Sequence, residues 1–209
     1  MPHGNRVDPF GDLFATAARG TLTGNRGCLH DAQRQIRRRW TTRAWIACRL
    51  EFRGRHREIM PPGRWTALFL LDQATAFAAG HRPCGECRNA DYRRFKQAWC
   101  EGHDGDAAAP VRLIDDRLHA ERIGRPRTTW RAAMGSLPDG TMWLDEGEVW
   151  IAAGERIGRW TPSGYRDVQS RPPRRQVSVL TPASLVSSFS AGYRPTIHST
   201  LAASHRASS

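Results

Sequence analysis

The stretch Gly80-His81-Arg82-Pro83-Cys84-Gly85-Glu86-Cys87 constrains the fold of this chain more than any other. Gly80 suits the left-handed residue that ends a helix, and Pro83 holds the chain extended. The two cysteines stand three positions apart, so one tight turn aims both sulfurs at a single point. Such a turn supplies two corners of a tetrahedral metal site, and zinc suits sulfur donors at about 2.3 Å. The remaining corners must come from elsewhere, which obliges the chain to fold back on this turn. Asn89 follows where a helix can begin, and a helix N-terminus behind the pair favours thiolate over thiol.

Cys28, Cys48, Cys84, Cys87 and Cys100 are five cysteines, an odd number that argues against a disulfide framework. Cys28 and His30 lie in a Gly-rich turn and are the first candidates for the missing corners, with a β-hairpin returning the chain to Cys84. Asp31 can orient His30 from behind. Cys48 competes as an alternate ligand, although on a strand it reads equally as a small buried apolar residue. A redox pair would sit between a strand and a long helix. Here a helix is expected to precede the cysteines.

Residues 45–52 alternate around apolar positions and predict a strand. Pro61-Pro62-Gly63 is a turn, and residues 65–71 predict a second strand that pairs with the first. Asp72 can cap a short helix to Ala79. Asn89 can cap another to about Trp99, with Tyr92, Phe95 and Trp99 on one face. After a polar linker over 101–110, a short helix is expected at 114–123. Short strands follow at 142–144, 149–153, 157–160 and 177–180. Thr181 and Pro182 open a last helix that Gly192 closes. The expected fold is therefore α+β. Residues 1–100 form a small zinc-binding domain, a β-hairpin and short helices around the Cys-x-x-Cys knuckle. Residues 111–198 form a β-rich domain with a terminal helix, and 199–209 a disordered tail.

Net charge is +12 and Lys96 is the only lysine, so the excess is carried by arginine. Arginine clamps phosphate with a planar fork and stacks on bases, which makes nucleic acid the expected partner. Arg82, Arg88, Arg93 and Arg94, gathered near the knuckle, are the candidates to face phosphate. No apolar run approaches the roughly 20 residues that span a bilayer. Residues 1–20 lack a basic start followed by an apolar block, so no signal peptide is expected. The expectation is a cytoplasmic protein.

Residues 65–88, and above all Leu71-Asp72-Gln73-Ala74-Thr75-Ala76-Phe77-Ala78-Ala79-Gly80-His81-Arg82-Pro83-Cys84-Gly85-Glu86-Cys87, resemble the N-terminal metal-binding domain of the Ada DNA alkylation repair proteins. That family shows an apolar strand, a short Ala-rich helix and then Ala-Gly-Phe-Arg-Pro-Cys-x-x-Cys. The resemblance implies that Cys84 and Cys87 are two zinc ligands in a small α+β domain that contacts DNA phosphates. It also implies a role in DNA repair or processing. In the family the first two ligands are cysteines four apart, and one of them accepts a methyl group from a DNA phosphotriester. This chain offers Cys28-Leu29-His30 instead, which puts methyl transfer in doubt.

A second constellation is Asp115-Asp116-Arg117-Leu118-His119. On a helix, Asp115 and Asp116 share the face of His119. Carboxylate and histidine together can hold a divalent ion or perform acid–base work on a phosphodiester. A salt-bridged surface helix accounts for the same residues. Trp143, Trp150 and Trp160, on the late strands, are either core or stacking platforms for bases. Three function classes remain: a structural-zinc protein associated with DNA, a metal-dependent nuclease built on His119, and a zinc-stapled protein-interaction module.

Overall fold

The computed structural model describes residues 2–54, 58–105 and 110–203, which form an α+β fold with two six-stranded sheets and five α-helices. The first sheet comprises β1 (Arg6–Val7), β2 (Leu13–Phe14), β3 (Leu22–Asn25), β4 (Ile46–Arg49), β5 (Leu68–Leu70) and β6 (Arg82–Pro83). Their order is β2-β1-β5-β3-β4-β6. The two strands expected at 45–52 and 65–71 are β4 and β5, but they do not pair with each other. β3 lies between them, antiparallel to both. Its Leu-Thr-Gly-Asn sequence has little strand propensity. Gly24 is what admits it: a Cβ there would stand 2.9 Å from Leu70 Cδ1 and 3.3 Å from Leu68 Cβ.

Helix α1 (Gln73–Ala78) starts at Asp72, whose Oδ1 accepts the Thr75 N–H at 2.8 Å. It ends before Gly80, at φ +82°. Every residue of α1 is buried, so the helix is covered on all sides. The chain then returns as β6, parallel to β4, with Ile46 opposite Arg82 and Ala47 opposite Pro83. Helix α2 (Asn89–Glu101) follows. Asn89 does not cap it, because its side-chain amide donates to the Gly85 carbonyl at 2.8 Å. Helix α3 (Val111–Arg122) buries Ile114 and Leu118.

The second sheet is wholly antiparallel: β7 (Trp130–Ala133), β8 (Met142–Asp145), β9 (Glu148–Ala153), β10 (Arg156–Thr161), β11 (Gly164–Ser170) and β12 (Gln176–Val179). Its order is β11-β10-β9-β8-β12-β7. β8 to β11 form a meander whose tight turns use left-handed residues, Glu146 and Gly147 at φ +52° and +82° in the first of them. Helix α4 (Ala183–Ser190) begins after Pro182. Thr181 does not cap it, since its hydroxyl accepts the Met142 N–H at 2.8 Å. Within the expected tail, Thr200–Ala203 is a helical turn, α5, and residues 204–209 lie outside the described residues.

Two cores draw on both halves. Leu71, Ala74 and Ala78 pack with Met142, Ile151, Tyr165 and Leu180. Phe77, Phe95 and Leu118 pack with Leu185, Phe189 and Tyr193. No helix among the described residues is long and apolar enough to cross a membrane.

Candidate metal centre

Adjacent residues on β4 point to opposite faces of the sheet. Ala47 enters the core formed with Val7, Leu29 and Leu68, and Cys48 emerges on the other face. The parallel pairing of β6 then delivers the knuckle to Cys48, the Cys84 N–H donating to the Ala47 carbonyl at 3.0 Å. Within the turn, the Arg88 N–H donates to the Cys84 carbonyl at 3.2 Å. The sulfurs of Cys48, Cys84 and Cys87 all lie within 4.8 Å of one another. A tetrahedron of radius about 2.3 Å has an edge of about 3.8 Å, so the spacing of the three sulfurs is compatible with one zinc-sized ion. All three are buried, and Ile46 and Phe52 pack against them. Among the described residues no fourth cysteine, histidine or carboxylate joins the group.

The donors fit a thiophilic cation. The Glu86 N–H points at the Cys84 sulfur and the Arg49 N–H at the Cys87 sulfur, each at 3.4 Å. A hydrogen bond from Cys48 pulls the Cys84 thiol down to about 5. The same bond, together with burial, pushes the Cys48 thiol up. A divalent ion would supply the positive charge that several buried thiolates need.

Cys28 and His30 stand outside this cluster. Both ring nitrogens of His30 are engaged, Nδ1 with Thr66 Oγ1 at 2.6 Å and Nε2 with the Pro61 carbonyl at 3.2 Å. Cys28 Sγ faces the His30 carbonyl at 3.8 Å. The alternate candidate Cys48 occupies the place expected for them, because parallel pairing of two short strands, not a hairpin, closes the site. Alternation along β4 was the one signal in the sequence that separated Cys48 from the core face. Cys100, buried on α2, is also outside the cluster. His81 is fully buried, and its Nε2 accepts the Arg26 Nε–H at 3.1 Å. Burial first, then the Arg26 charge, holds its pKa well below the usual imidazole value.

Two of the four arginines expected to face phosphate are inside. Arg82 forks onto Asp115 at 2.7 and 2.9 Å, and Arg88 onto Asp91 at 3.1 and 2.8 Å. Arg93 and Arg94 are exposed, Arg94 paired with Asp91. The residues that sequence reasoning missed are Arg26 and Arg122, which sandwich the Trp45 ring at 3.9 and 4.0 Å. Five exposed arginines stand on the loop between β3 and β4, Arg34, Arg37, Arg38, Arg39 and Arg43, beside Trp40 at 40% exposure, and among the described residues all but Arg38 pair with a surface carboxylate.

His119, Asp115 and Asp116 share α3 but not a common point. Asp115 gives both oxygens to Arg82, and Asp116 pairs with Arg43 at 3.0 Å. His119 and Trp40 stand in a T-shaped contact with ring centroids 4.5 Å apart, and the His119 Nδ1 is buried without a hydrogen-bond partner. Burial, then the Arg122 charge, lowers its pKa. Trp143 is fully buried in the core. Trp150 and Trp160 are half-buried against it, so these rings pack and do not stand free. Comparison of the chain with family models, curated proteins and solved structures returns no match.

Proposed function

We propose that the protein is a zinc-binding, DNA-associated protein in which Cys48, Cys84 and Cys87 hold the ion. The carrying observation is the set of three buried sulfurs within 4.8 Å, drawn from two segments far apart in sequence. The ion is structural: it staples β4 to the knuckle and needs no access by substrate. Sulfur donors favour zinc over hard cations such as magnesium and calcium. The resemblance of residues 65–88 to the Ada zinc domain supports the same reading. No two cysteines of this chain stand four apart, as the family's first pair does, so alkyl transfer is not part of the proposal.

The DNA half rests on charge. The chain carries +12, and five exposed arginines crowd the loop beside Trp40. These, with Arg93 and Arg94, replace Arg82 and Arg88 as the phosphate-facing set. The nuclease reading has no equivalent support, because Asp115 is held in a buried fork by Arg82 and no metal-holding group forms around His119 among the described residues.

Metal content of the purified full chain tests the centre. About one zinc per chain is expected, retained in Cys28→Ser and His30→Ala and lost in Cys48→Ser. Zinc far below one per chain, or retention in Cys48→Ser, overturns it. Retention of a short DNA duplex against salt tests the partner. Arg38→Glu with Arg39→Glu should lower the slope of log K against log salt by about 2. Salt-independent retention, or none at low salt, removes DNA from the proposal.

A further inference from the structure

The face of the first sheet that carries Cys48 also carries a cleft. Residues in direct register point to the same face. Cys48 lies opposite Thr23, Thr23 opposite Phe69, and Phe69 opposite Arg6, so one row of side chains crosses four strands. Leu68 and Leu70 turn inward and are fully buried, whereas Phe69 is only half-buried on this outer face. Over Phe69 and Arg6 opens a cleft of about 410 Å³, within the roughly 300–1,000 Å³ usual for small-molecule sites. Leu50 and Ile59, exposed at 43% and 38%, flank it. Two of the few large apolar side chains left in solvent therefore converge on one place.

Its charged groups have one sign. Arg6 and Arg19 line the cleft, with Asn5 and Thr16 as neutral polar neighbours, and no aspartate or glutamate does among the described residues. Arg6 is 3% exposed. Its guanidinium is held by carbonyls alone, Nη1 on Ala18 and Nη2 on Pro162, while Nε is buried without a partner. Burial lowers its pKa, and no carboxylate opposes that shift. Buried charges are ordinarily compensated by an opposite charge. Here the compensation is missing from the protein, next to an apolar cleft.

We infer that this cleft binds a small amphipathic carboxylate, its apolar body on Phe69, Leu50 and Ile59 and its anionic head at Arg6 and Arg19. The inference does not depend on zinc or DNA. Calorimetric titration of the full chain with decanoate, and with decanol as the uncharged match, tests it. Decanoate should saturate a single site and decanol bind at least about tenfold more weakly, a difference of about 1.4 kcal/mol. Arg19→Glu should weaken decanoate about tenfold and leave decanol unchanged, since that side chain is exposed and the fold does not rest on it. Leu50→Asp should weaken both. Equal affinity for decanoate and decanol, no binding of decanoate, or indifference of decanoate to Arg19→Glu overturns the inference.

Discussion

Burial lifts the Asp8 carboxyl to about 6, only partly opposed by the Asp12 N–H and the Arg26 charge. The unfolded-chain value is about 3.9. The folded chain therefore binds the proton more tightly, and the stabilisation it brings is complete below about pH 4 and lost as pH rises through about 6. Asp8→Asn keeps an acceptor for the Asp12 N–H and removes the charge. The variant should match the parent near pH 4 and exceed it by about 1–3 kcal/mol at pH 7. Urea denaturation of both proteins from pH 4 to 7 reads the difference. A constant difference across that range would mean that the Asp8 carboxyl does not titrate there.

β6 is two residues long and yet places the knuckle. Its backbone pairs with β4, and its Arg82 reaches α3 through the buried fork on Asp115, the two side chains 9% and 7% exposed. Removing one member of a buried pair strands the other charge. Arg82→Ala or Asp115→Ala should each cost about 3–5 kcal/mol. Arg82→Met combined with Asp115→Leu leaves no charge stranded and should be within about 1 kcal/mol of the parent or more stable. Because backbone pairing sets the position of Cys84, the double variant should bind as much zinc as the parent. Chemical denaturation and metal analysis of the three variants decide this. A double variant as unstable as either single one would assign the ion pair a packing role that apolar residues cannot fill.

Each sheet comes from one half of the chain, but the helices between them belong to both. Phe77 on α1 meets Phe95 on α2, Phe189 on α4 and Tyr193 beyond it, at centroid distances of 5.2–5.6 Å. Neither half can bury these rings alone. The full chain should unfold in one transition with equal calorimetric and van't Hoff enthalpies. Phe77→Ala should lower its stability by about 3–5 kcal/mol without splitting the transition. Two resolved transitions in calorimetry would make the halves independent domains.

The strongest periodicities determined their elements directly. Strands β4, β5, β8, β9, β10 and β12 and helices α1 to α4 form where local pattern places them, because apolar periodicity and stop signals act over a few residues, whereas of the expected caps only Asp72 caps its helix. The Cys-x-x-Cys turn is equally local. β1, β2, β3, β6, β7 and β11 are short or polar, and their pairing partners, not their composition, make them strands. The same reason separates Cys48 from Cys28 and His30. Local sequence offered both as partners for the knuckle. Only β6 lying parallel to β4 decided between them, a pairing of two segments distant in sequence that no local pattern specifies.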